Sequence, residues 1–172
     1  KHRRNLNVLV CGGSGAGKSY FAGLLAERWL ALDYSVVVFD PEGDYGALAR
    51  LPGVLGVGGA EHLPSVEQLA RLLHHRGGSV VVDLSLLAWD EREAYIVSAL
   101  TRLEQERKDT GLPHWILVDE AHVVFRAKHQ CLLRRSGGSC LITYHPWSLA
   151  TATVDGCEVI VFLRGSFADG PP

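Results

Sequence analysis

One stretch of this chain has the residues and spacing for anion chemistry. Gly12-Gly13-Ser14-Gly15-Ala16-Gly17-Lys18-Ser19, followed by Tyr20, matches the spacing G-x-x-x-x-G-K-[ST]. Glycines at the bends let successive backbone N–H groups turn inward around a phosphate with no Cβ in the way. A helix starting at the end of such a loop adds free N–H groups and the positive end of its dipole. Lys18 brings a point charge for the β- and γ-phosphates, and the Ser19 hydroxyl is a ligand for Mg²⁺. In a glycine-rich chain of this length, four fixed positions match by accident on the order of 1% of the time. The flanks lower that figure, because an apolar run precedes the loop and an amphipathic pattern follows it. Residues 12–20 are therefore expected to cradle a nucleoside triphosphate, with ATP the first choice.

Such a loop needs an acid at the end of another apolar strand to hold the metal through water. Trp115-Ile116-Leu117-Val118-Asp119-Glu120 supplies it. Asp40 and Asp83 also end apolar runs, and Glu120 separates the three. An acid beside the metal-binding Asp can orient and deprotonate the attacking water. Ser19 and Asp119 are thus the expected metal ligands and Glu120 the expected base, a set suited to hydrolysis more than to transfer onto a small acceptor. The plainer reading makes Glu120 a helix-start acid favoured by the dipole. Asp119-Glu120-Ala121-His122 also spells the box of a large helicase class, but the chain is too short for the two motor domains of those proteins.

The elements that must position these groups follow from the hydrophobic pattern. Apolar runs at 6–11, 35–40, 79–84, 115–119, 140–144 and 158–163 read as strands, with a further short one at 54–57. Helical patterns lie between them, at about 18–32, 65–75, 89–108 and 121–134. The first carries Phe21, Leu24, Leu25, Trp29 and Leu32 as one apolar stripe, and Ser65 with Gln68 forms a capping box at the second. Alternating strands and helices predict a parallel sheet covered on both faces, an α/β three-layer fold of a single domain over 1–172.

Composition bounds the rest. The 172 residues carry 17 basic and 19 acidic side chains, a formal charge of −2, which supplies no general attraction to nucleic acid or acidic membranes. Hydrophobic content of 47% excludes a mainly disordered chain. No apolar run approaches the ~20 residues of a membrane-spanning helix. Cys11, Cys131, Cys140 and Cys157 lack C-x-x-C spacing and read as reduced thiols, three of them in or beside apolar runs, which suggests the cytoplasm. Met is absent and the chain opens Lys1-His2-Arg3-Arg4, so a piece of a longer protein is expected.

The loop, then Asp40-Pro41-Glu42-Gly43-Asp44-Tyr45, then Val118-Asp119-Glu120-Ala121-His122, then Thr143-Tyr144-His145-Pro146, in this order, resemble the HerA/FtsK superfamily of P-loop ATPases. The HerA-like, DUF87-type branch is the nearest likeness, over about residues 6–165. The resemblance implies a RecA-like, ASCE-type core in which the 140–144 strand lies between the phosphate-loop strand and the Asp119 strand. It also implies a homo-oligomer, a hexameric ring, that moves DNA. One departure matters. Tyr144 stands where the family usually carries a γ-phosphate-sensing Gln, and a phenol lacks the paired donor and acceptor of an amide. Either slower hydrolysis or a shared role for Thr143 follows.

Several residues keep two readings at this level. Asp40, Glu42 and Asp44 are turn formers or acids close to the nucleotide. Arg164 is a solvated strand-end residue or a group reaching the γ-phosphate within its own subunit. An arginine supplied by a neighbour would be Arg126, Arg134 or Arg135. His74-His75 reads as a polar helix end, and Leu86, Leu87 and Trp89 read as core first and as a surface packed on a neighbouring subunit second. The leading function is a Mg²⁺-dependent ATPase motor subunit acting on DNA; the alternative is an ATP-driven switch or assembly module acting on protein. A small-molecule kinase is weaker, since no acceptor site or lid is evident.

Overall fold

The computed structural model describes residues 6–76, 78–126 and 137–164. Among them, seven apolar runs form strands: β1 (Val8–Cys11), β2 (Val36–Asp40), β3 (Val54–Gly58), β4 (Ser79–Asp83), β5 (Trp115–Val118), β6 (Ser139–Thr143) and β7 (Val159–Phe162). They make one parallel sheet in the order β3-β4-β2-β5-β6-β1-β7. The strand at 139–143 thus lies between the phosphate-loop strand and the Asp119 strand, as the resemblance implies.

Parallel strands connected by helices are covered on both faces, and the central ones are accordingly apolar on both. Val8 and Val10 point to one side, where they meet Ala22 and Ala26 of α1 (Lys18–Leu30). Leu9, between them, points to the other, toward Leu69 and Leu73 of α2 (Val66–Arg76) and Ile96 and Leu103 of α3 (Trp89–Thr110). A short helix, α4 (Thr151–Asp155), leads into β7. This is the expected three-layer α/β arrangement. The Ser65–Gln68 capping box is present, with Gln68 Oε1 accepting from the Ser65 amide at 2.8 Å.

Three expectations change. The expected stripe on α1 is only part of its inner face: Phe21, Leu25 and Trp29 pack against the core, and Leu24 and Leu32 do not. Ala22 and Ala26 are wholly buried, whereas Leu24 is 46% and Leu32 52% exposed. Small side chains let the helix lie close on the sheet, leaving bulkier ones to its flanks and outer face. Among these, Trp29 stacks flat on Trp115, with ring centroids 4.0 Å apart. Second, the helix expected over 121–134 does not start as one. Glu120 is left-handed (φ 48°), Ala121–Val123 form a single 3-10 turn, and residues 124–126 continue as a turn and a bend. The valines and phenylalanine at 123–125 are weak helix formers; residues 127–134 lie outside the described part. Third, Leu86 and Trp89 are not core, at 74% and 50% exposed, and only Leu87 packs inward. The Trp89 ring instead lies under the Arg92 guanidinium, 4.3 Å from its centre.

Cys11, Cys140 and Cys157 are buried and unpaired, and burial pushes the Cys11 and Cys157 thiols up to about 11. Cys131 lies outside the described residues. Asn7 is a fully buried polar group at the entry to the sheet. Its amide donates to the Gly156 carbonyl at 3.0 Å and its side-chain oxygen accepts from the Ser139 amide at 3.3 Å, joining β1 to the approaches of β6 and β7. Replacing Asn7 with Ala leaves two backbone groups without these partners. A loss of about 1–3 kcal/mol is expected in urea unfolding, and an unchanged midpoint would refute this role.

Candidate active site

Because the strands are parallel, their carboxyl ends share one edge of the sheet, the usual location of ligand sites in such folds. Cys11 pairs with Thr143 and Val118 with Leu141, so the loops after β1, β5 and β6 emerge side by side. The sequence motifs, far apart in the chain, meet there.

The loop after β1 takes the bends that its glycines permit. Gly15 and Gly17 have φ of 71° and 82°, in the left-handed region. A Cβ on Gly12 would lie 2.9 Å from the Leu163 carbonyl oxygen, so a side chain there collides with the end of β7. Ser14 and Gly15 are exposed, Ala16 half-buried, and Tyr20 on the first turn of α1 is 75% exposed. Lys18 is buried, and its Nζ donates to the Gly13 carbonyl at 3.0 Å, across its own loop.

Asp119 is 5% exposed and receives two hydrogen bonds. The Tyr45 hydroxyl donates to Oδ2 at 2.8 Å and the Glu120 amide to Oδ1 at 2.8 Å, and the Ser19 hydroxyl stands near the same carboxylate. Burial pushes its carboxyl above the ordinary range, and these hydrogen bonds oppose that push. The two expected metal ligands, Ser19 and Asp119, therefore stand side by side, and both offer the hard oxygen donors that suit Mg²⁺.

Asp40 divides from the acids that follow it. Its Oδ1 accepts from the Gly43 and Asp44 amides at 2.8 and 3.0 Å, and Oδ2 accepts from the Tyr45 amide at 2.9 Å. It builds the turn. Glu42 and Asp44 are exposed, and their charges raise the Glu120 carboxyl. Asp83, the other rival to Asp119, holds a turn through the Ser85 amide at 2.8 Å. The turn made by Asp40 delivers the Tyr45 phenol to Asp119. That link was not legible in the sequence, although Tyr45 closes a segment that stood out there.

Glu120 is half-buried beside Asp119. Burial first, then the Asp119 and Glu42 charges, push its carboxyl up to about 7, against the pull of Lys18. Burial foremost, with His145 next, holds His122 down at about 4, so its imidazole is neutral. Glu120, His122, Tyr144, Arg126, Glu42 and Trp89 line a cleft of about 430 Å³. A wider hollow of about 850 Å³ between β3 and α2, lined in part by Val57, Pro64 and Leu72, contains none of the loop residues. Chemistry, not volume, selects the site.

Tyr144 turns its ring toward Lys18, whose Nζ lies 5.9 Å from the ring centre, and packs edge-to-face with His122 at 4.8 Å. Arg126 is exposed and donates to the His122 carbonyl at 3.1 Å. Arg164 is exposed after β7 and forms no ion pair among the described residues; Arg134 and Arg135 lie outside them. Asp40→Ala removes the acceptor of three amides and is expected to cost roughly 2–3 kcal/mol. Asp40→Asn should cost less in the same thermal or urea series, and equal stability of Asp40→Ala and wild type would refute the assignment.

The comparisons with known proteins agree with this geometry. Residues 6–64 match the family described as the central domain of helicase HerA. No curated protein sequence matches the chain. Among solved structures, the genome packaging NTPase B204 of Sulfolobus turreted icosahedral virus 2, in complex with ATP-gammaS, superimposes with a TM-score of 0.65 at 14% identity. It covers 93% of this chain and 75% of that one. VirB4 of Thermoanaerobacter pseudethanolicus superimposes at 0.62 with 13% identity, over 87% of this chain and 73% of that one. Over residues 6–64 the chain is thus similar to the HerA central domain, and it shares its fold with these two structures.

Proposed function

We propose that this chain binds Mg²⁺–ATP in the loop Gly12–Ser19 and hydrolyses it, as one motor subunit of a homo-oligomeric ring that moves DNA. The observation that carries the hydrolytic part is Glu120, a desolvated carboxyl directly beside the Asp119–Ser19 pair. Mg²⁺, held by Ser19 and through water by Asp119, would neutralise charge on the phosphates. A water oxygen attacks the γ-phosphorus, the bond to the β–γ bridging oxygen breaks, and the water proton passes to Glu120. Lys18 offsets the negative charge that accumulates. Supporting the DNA part are the HerA match over 6–64 and the likeness to a genome packaging NTPase. Among the described residues no helix is long and apolar enough to cross a membrane. Three buried, unpaired thiols suit a reducing compartment, and we assign the cytoplasm.

A protein substrate for the motor is the second reading, favoured by the net charge of −2 and the acids Glu42, Asp90 and Glu93 around the cleft. Steady-state ATP hydrolysis with and without double-stranded DNA separates the two. Stimulation of several-fold supports the translocase, and indifference to DNA supports the protein-directed module. Lys18→Ala should abolish nucleotide binding. Glu120→Gln should bind ATP and lose turnover by about 100-fold or more; wild-type hydrolysis in Glu120→Gln would remove Glu120 as the base.

A further inference from the structure

The base has an unusual neighbour. Glu120 Oε2 is buried and makes no well-aligned hydrogen bond, and the His122 Nδ1 lies 3.1 Å from it. The same Nδ1 lies 3.2 Å from the Thr143 Oγ1, at the end of β6. Thr143 is wholly buried, and its hydroxyl oxygen already accepts from the His145 amide at 3.0 Å, which fixes its side chain. The imidazole is held on its other sides too, packing edge-to-face against the rings of Tyr144 and His145 at 4.8 and 5.5 Å. A ring so confined has little freedom to turn. Its one nitrogen facing the site is shared between the base and the strand next to the phosphate loop.

We propose that His122 is a positioning residue, which holds the Glu120 carboxylate for water activation and couples it to Thr143 on β6. The inference rests on the hydrolytic reading above. It assigns to His122 and Thr143, not to the Tyr144 hydroxyl, the link between the polar strand and the catalytic acid. The chemistry is consistent for a neutral imidazole. With the proton on Nδ1, the ring donates to the ionised Glu120 oxygen, and the Thr143 oxygen lies within reach of the same N–H. A carboxylate on a left-handed residue (Glu120 φ 48°) at the mouth of a cleft otherwise has its backbone alone to aim it. Partners of this kind, standing behind a reacting group, commonly govern activity by 10- to 100-fold, as in metal sites.

The test compares His122→Phe, which keeps the ring packing and deletes Nδ1, with His122→Asn, whose side-chain amide restores an N–H donor near the same place. Turnover, KM and the affinity for a fluorescent non-hydrolysable ATP analogue are measured for both, beside wild type and Glu120→Gln. His122→Phe is expected to lose about tenfold or more in kcat, with KM and analogue affinity within twofold of wild type, and His122→Asn to regain most of the loss. Wild-type kcat in His122→Phe overturns the proposal. So does a parallel fall of kcat, analogue affinity and melting temperature in both variants, which would mean that the ring only fills space. A wild-type protein without Glu120-dependent turnover removes the hydrolytic reading itself, and that result is distinct because it appears before any His122 variant is made.

Discussion

A carboxylate buried as deeply as Asp119 is stable only if donors surround it, and the way those donors are supplied orders the rest of the site. One comes from the residue next to it and one from the loop after β2, and the first turn of α1 brings Ser19 alongside. Three elements separated by long stretches of chain thus converge on one group. An isolated charge at that depth would cost several kcal/mol. The hydrogen-bonded set instead fixes where the phosphate loop, the β2 loop and the β5 end stand relative to one another. The parallel sheet provides the common edge, and the Asp119 cluster provides the alignment on it.

Much of this was readable from residue types. The phosphate loop is local: its glycines, lysine and serine act within eight consecutive positions, so spacing alone predicts the chemistry. The strands were equally legible, since buried parallel strands are short apolar runs whatever their neighbours. The choice of Asp119 over Asp40 and Asp83 rested on the adjacent Glu120, and the structure gives the rivals other work, each tied to nearby amides.

What stayed hidden depends on contacts across the sheet. The pattern on α1 promised a stripe of large residues, and Phe21, Leu25 and Trp29 do pack on the core, but the sheet buries Ala22 and Ala26 most deeply, because closeness of approach also decides which residues turn fully inward. Tyr45 reaching Asp119 spans 74 positions, and no periodicity encodes it. The first described residues after Asp119 also depart from the expected helix. Asp119 captures the Glu120 amide, Glu120 turns left-handed, and the next residues can manage only a 3-10 turn before the chain bends.

The flat pair Trp29 and Trp115 stands at the end of α1 remote from the phosphate loop and at the start of β5. Stacked indoles at that separation couple their electronic transitions, and where the two transition moments are turned against each other within their planes, the far-ultraviolet circular dichroism contains an exciton couplet that does not come from the backbone. Helix content read from that spectrum is distorted accordingly. The couplet in turn reports, without any label, whether the helix that opens the phosphate loop is seated on the sheet.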